Sequence, residues 1–180
     1  TYSLGLFQPY FSQYESWRDY GLEKAKEKLK DHQDALILTL DFKSFYYSVD
    51  VRREEFDGFV AGTSLDSPWH RRVNDFVFKV IEKYSEKLRQ VVHPQAELNL
   101  GDRNILPIGF LPSNILSNWA LTPFDDAIIE KWNPVYYGRY VDDVIIVDKV
   151  EKNSPIYKQA RDADARLSSS DIIDRFLVQR

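Results

Sequence analysis

Neither cysteine nor methionine occurs among the 180 residues, and histidine occurs only three times. Without thiols there is no disulfide and no thiolate metal site, which fits a reducing, cytoplasmic setting. Three scattered imidazoles argue against zinc. No window approaches the roughly 18 uninterrupted apolar residues of a membrane span, and no secretory signal is visible, so no membrane partner is expected. There is no excess of positive charge either: the net charge is −4, where a nucleic-acid-binding domain is usually basic. Acids gathered at a metal site would account for part of that balance. No repeat, low-complexity tract or linker divides the chain, so residues 1–180 read as one domain. The chain begins at Thr1 and holds no methionine, and it reads as a segment of something longer.

What is abundant is aromatic area: 14% of residues, eleven of them Tyr and eleven Phe, enough to supply much of a core. Against that background the acids at Asp142 and Asp143 stand out. They lie between Val135-Tyr136-Tyr137 and Val144-Ile145-Ile146-Val147, a short apolar–acidic–apolar pattern that predicts a β-hairpin over 135–148 with the acids at its tip. Asp41 closes another apolar run, Ala35 to Leu40, predicted as a strand over 35–41. Carboxylates beside so much hydrophobic chain are costly unless a cation or strong donors compensate them. Three acids at strand ends are suited to two Mg²⁺ ions and to phosphoryl-transfer chemistry.

Around these elements the periodicity predicts a helix over about 15–30 with Trp17, Tyr20, Leu22, Ala25 and Leu29 available for its buried face. A second helix is expected over about 69–90, with an apolar stripe of Trp69, Val73, Phe76, Val77, Val80, Ile81 and Tyr84 facing the core. Residues 51–68 read as loop with short helical pieces, and 91–112 as extended and turn-rich. Ser113 is expected to cap a helix that Pro123 interrupts. A last helix is expected over about 154–166, and 171–178 is ambiguous. The order implies an α+β fold, an antiparallel sheet with helices packed on one face and the acids on the open face or at the sheet edge.

Three segments then resemble one family in the right order. Leu40-Asp41-Phe42-Lys43-Ser44-Phe45-Tyr46-Tyr47-Ser48-Val49-Asp50 resembles motif A of reverse transcriptases. Leu106-Pro107-Ile108-Gly109, with Ser113 and Asn118 following, resembles motif B. Tyr140-Val141-Asp142-Asp143 is similar to the motif C tetrad. The likeness covers roughly residues 5–150, the polymerase palm. It implies an RNA-directed DNA polymerase of bacterial, group II intron-like type, a nucleotidyltransferase adding dNTPs to the primer of an RNA or DNA template-primer with two Mg²⁺ ions (or Mn²⁺). By the same resemblance Asp41, Asp142 and Asp143 are the catalytic metal ligands, Asp41 and Asp142 bridging the two ions and Asp143 assisting, with the Phe42 carbonyl completing one shell. Ser44 and Phe45 amides hold the triphosphate, Tyr46 is a steric gate against the 2′-hydroxyl, and Gly109 lets the chain pass close to the nucleotide.

The chain departs from the family where many members carry Gln at the position of Ile108 and Pro at that of Asn114. That motif B is more similar to the divergent reverse transcriptases of phage (antiviral) defence than to intron or retron enzymes. Fingers strands have no counterpart before motif A and no thumb follows, so the expectation is a palm whose fingers and thumb belong to the full-length chain. Two other readings remain open here: an RNA-dependent RNA polymerase, and a polymerase-like scaffold without turnover. Lys43 and Arg139 are near the acids in sequence, available to pair with them or with phosphate. Arg52, Arg53, His70, Arg71 and Arg72 could meet a nucleic-acid backbone, although a solvated face explains them more simply.

Overall fold

The computed structural model describes residues 10–31, 33–92, 100–151 and 158; the helix expected over 154–166 and the segment 171–178 lie outside the described residues. The fold is mixed α and β. In chain order come α1 (Tyr10–Lys30), β1 (Asp34–Asp41), α2 (Phe45–Ser48), α3 (Arg53–Val60), α4 (Pro68–Val91), α5 (Leu111–Ala120), α6 (Thr122–Ala127), a π-helical turn (Ile128–Trp132), β2 (Tyr136–Tyr140) and β3 (Asp143–Val150). No described helix is long and apolar enough to cross a membrane. The chain divides into two compact units, one formed by residues up to Asp41 and from Pro123 onward, the other by Phe42–Thr122.

The first unit is built on a three-stranded antiparallel sheet in the order β1-β3-β2. β3 is central, which explains its run of buried residues from Val144 to Asp148: a strand covered on both faces reads as continuous apolar sequence rather than as alternation. Strand parity assigns the two faces. Asp41, Thr39, Ile37 and Ala35 are registered with Asp143, Ile145, Val147 and Lys149 on one side, and β2 adds Tyr140, Gly138 and Tyr136 to it. α1 packs on this side, contacting all three strands. Ala25 clusters with Ile145 and Val147, with Trp17, Ala35 and Tyr136 against them.

The helix can lie close because Gly21 faces the sheet: a Cβ there would meet Tyr136 Cε1 at 2.9 Å and Ile145 Cγ2 at 3.1 Å. Trp17, Gly21 and Ala25 therefore make the buried stripe. Tyr20 and Leu29, expected to be buried, are 51% and 56% exposed, because the sheet selects a stripe centred on the small residues.

The opposite side carries Leu40, Leu38, Val144, Ile146, Asp148, Tyr137 and Arg139. It is covered too. Trp132 Nε1 donates to Asp148 Oδ2 at 2.7 Å, and Asp125 of α6 accepts from Arg139. The expectation of helices on one face is thus corrected: α1 lies on one side, α6 and the π turn on the other. Of the two places expected for the acids, it is the edge that holds Asp41, at the end of edge strand β1. Pro123 does separate α5 from α6, as its missing N–H requires.

The second unit is helical around Val51, Phe78, Ile81, Leu106 and Leu116, each fully buried branched or aromatic side chain contributing about 1.5–3 kcal/mol. α4 opens with Ser67, whose side chain accepts from His70 N, followed by Pro68, a favourable start because proline lacks a donor the first turn would waste. Its buried face centres on Phe78, Ile81 and Ser85. Trp69 and Phe76, expected in the core, are 69% and 66% exposed.

Ser113 does not cap α5, since the helix already begins at Leu111 after Phe110. Its hydroxyl donates instead to the Pro107 carbonyl at 2.8 Å. Proline within the first turn lets α5 start earlier than a serine cap would place it.

Candidate metal-binding hairpin and nucleotide-binding turns

β2 and β3 are joined by the two residues Val141 and Asp142, between paired Tyr140 and Asp143. Val141 has φ 58°, the positive angle that a two-residue hairpin turn needs at its first position and that glycine normally supplies. A β-branched side chain there carries strain of about 1–3 kcal/mol.

Arg139 supports the turn. Its Nη1 donates to the Val141 carbonyl at 2.9 Å, while Nε and Nη2 fork onto Asp125 Oδ1 and Oδ2 at 2.8 and 2.6 Å. The Arg139 side chain is 9% exposed, and the Tyr137 hydroxyl also donates to Asp125. Burial, then Asp125, pushes the Tyr137 hydroxyl well above the ordinary phenol range, so it stays protonated as a donor. Arg139 therefore pairs with neither Asp142 nor Asp143, and parity puts it on the other side of the sheet from Asp143.

Asp41 and Asp143 are directly registered partners. Directly opposed residues in an antiparallel pair have Cα atoms about 4.5–5.5 Å apart and project to the same face. Asp142 follows in the turn. Burial first, then the charges of Asp142 and Asp41, raises the Asp143 carboxyl above the usual carboxylate range, while a hydrogen bond from Tyr14 partly opposes this. The burial has visible sources: the Tyr14, Trp17 and Tyr140 rings sit 5.3–6.0 Å from one another. Asp41 is exposed, so the pair has one sheltered member and one open to solvent.

Like charges held together without a cation cost free energy, and oxygen-only ligands match a hard divalent ion. The donor chemistry fits Mg²⁺. Among the described residues no group of three or more acids or histidines is placed to hold a metal ion; two opposed carboxylates with a third one residue away is the arrangement present.

The remaining sequence-marked residues belong to the second unit. Phe42 is half-buried, its ring 5.9 Å from that of buried Phe45. Ser44 is exposed and left-handed at φ 53°, and its carbonyl accepts from the Tyr47 and Ser48 amides. The Tyr46 hydroxyl donates to Asn114 Oδ1 at 2.6 Å, and its carbonyl accepts from Leu106 N at 3.2 Å. Pro107 to Phe110 form a hydrogen-bonded turn with Gly109 at φ 81°, so a type II geometry explains this glycine. Ile108 beside it is 63% exposed. Tyr46, the Gly109 turn and the start of α5 are thus linked within one unit.

Sequence reasoning did not single out Tyr14 or Asp125; neither carries a local signal, since each acts across the sheet. The arginines named as backbone contacts are mostly spent internally. Arg52 pairs with Asp50, Arg53 with Asp57 and Asp75, and Arg71 with Asp66. The latter two line a cavity of about 380 Å³ with those three acids. No family model, curated protein or solved structure matches this chain.

Proposed function

We propose that the chain is the palm of an RNA-directed DNA polymerase, which adds dNTPs to a primer 3′-hydroxyl and releases pyrophosphate. The observation that carries this reading is the registered Asp41–Asp143 pair with Asp142 in the strained turn beside it. Bound Mg²⁺ would supply charge neutralisation of the triphosphate and acidification of the attacking hydroxyl. The chain's own part is to present ligands: the carboxylates of Asp41, Asp142 and Asp143 and the carbonyl of Phe42. The amides of Ser44 and Phe45 open α2, ahead of the two amides taken by the Ser44 carbonyl, and hold phosphate oxygens. Tyr46, fixed by Asn114, excludes a 2′-hydroxyl and so selects deoxynucleotides. Gly109 keeps its turn free of a side chain.

Mn²⁺ titration of the wild type against the Asp142→Ala, Asp143→Ala double variant is the first test, because it reads the site without requiring turnover. Wild type should bind and the variant should not; equal binding overturns the reading. Primer extension on an RNA template with fingers and thumb supplied by the full-length chain should then consume dNTPs, and Tyr46→Ala should admit NTPs. Exclusive NTP use by the wild type would mean an RNA polymerase. Metal-independent behaviour would mean a scaffold without turnover.

A further inference from the structure

α4 carries a surface that the acids do not explain. At 100° per residue, Trp69, Arg72, Phe76, Lys79, Lys83 and Lys87 fall along one side of this 24-residue helix, roughly opposite the buried Phe78, Ile81 and Ser85. Trp69 and Phe76 are 69% and 66% exposed and lie two turns apart, about 10 Å along the axis. The three lysines follow at steps of about 6 Å. Lys83 pairs with Glu86, and Lys87 donates to Gln90 while lying within the field of Glu86. Arg72 and Lys79 have no ion pair among the described residues. Of the acids on this helix, Asp75 shares Arg53 with Asp57, while Glu82 and Glu86 lie beside the lysines.

From this face we infer that α4 is a docking surface for single-stranded nucleic acid, bound without sequence preference. Stacked bases need flat, solvent-open rings, which every base can use, and a phosphate backbone needs cations spaced along its path. The face offers both in succession: aromatics in the first half of the helix, cations in the second. Along this side Arg72, Lys79, Lys83 and Lys87 stand against Glu82 and Glu86, a local positive excess in a chain of net charge −4 that is complementary to a polyanion. A membrane-surface helix would instead bury its continuous apolar face in lipid, and the apolar face of α4 is already committed to the core. The inference stands on this helix alone and does not depend on metal chemistry.

The test is fluorescence anisotropy of a labelled oligothymidylate of about 16 nucleotides, in excess EDTA, with the fold of each variant checked by circular dichroism. Binding should persist without metal. Its logarithm should fall against log salt with a slope of about −2, the value for three neutralised phosphates on a single strand. Trp69→Ala and Phe76→Ala should each weaken binding about tenfold at unchanged slope. Lys79→Gln with Lys87→Gln should flatten the slope by about 1.4.

No binding in EDTA, binding indifferent to all four substitutions, or equal preference for duplex would overturn the inference. So would tight binding to phosphatidylserine vesicles that the oligonucleotide cannot displace. Failure here leaves the Mn²⁺ result untouched, and loss of Mn²⁺ binding leaves this result untouched.

Discussion

Replacing Arg139 with methionine removes the guanidinium bonds that tie β2 to Asp125 and to the turn while keeping most of the apolar stem. Two bonds form the fork onto Asp125 at 2.8 and 2.6 Å, and another ends on the Val141 carbonyl at 2.9 Å. The pair is well sheltered, with side chains 9% and 22% exposed. Removing one partner of a buried pair costs about 3–5 kcal/mol. The residual exposure of Asp125 argues for the lower end, about 3 kcal/mol. Asp125→Leu should cost at least as much, since it strands a guanidinium that cannot lose its charge.

The double variant Arg139→Met, Asp125→Leu removes both charges together. Its cost should fall short of the sum of the singles by about 2 kcal/mol or more. Urea unfolding followed by tryptophan fluorescence reads this, because Trp132 is buried in the same unit and bonded to Asp148. With the Val141 carbonyl released, the strained turn should relax and Mn²⁺ affinity should fall about tenfold, as for losses of supporting bonds around metal ligands. Arg139→Lys should not restore it, because an ammonium cannot make the fork. A single-variant cost below about 1 kcal/mol, or additive costs in the double, would refute the clamp.

Asp143→Asn should raise the melting temperature in EDTA at neutral pH. The folded state holds the Asp143 proton more tightly than the unfolded chain does, so the wild type loses stability as pH rises above about 4 and carries the full penalty beyond the folded pKa. The gain from Asn should therefore shrink on acidification, and a gain that grows instead would contradict the burial and like-charge argument. Gly138→Ala should cost about 1–3 kcal/mol, because a Cβ there would collide with the Tyr136 hydroxyl and the Trp17 indole nitrogen. Gly58→Ala, with nothing within 4 Å and inside α3, should instead gain about 0.5–1 kcal/mol; thermal melts of the two variants check both signs. Ser85→Ala leaves the buried Ile105 N–H without its 2.8 Å acceptor and should cost about 1–3 kcal/mol in urea.

The sequence by itself determined the elements whose cause is local. The hairpin follows from apolar runs on either side of two acids, the strand ending at Asp41 from its apolar run, and the break before α6 from Pro123. These depend on near neighbours in the chain, so their signals survive without three-dimensional knowledge. That Asp41 comes beside the hairpin acids was only an expectation, and that its registered partner is Asp143 was legible only in the structure, because a slip of one residue would turn every side chain to the other face.

Only the tertiary structure decided which helical stripe is buried. Both α1 and α4 offer more apolar residues than a core can cover, and the choice went to Gly21 and Ala25 in one and to Phe78, Ile81 and Ser85 in the other. It also decided that Arg139 serves Asp125 and not the acids beside it in sequence. The physical reason is the same in both cases: burial and ion pairing depend on what packs opposite a residue, and no local periodicity records that partner.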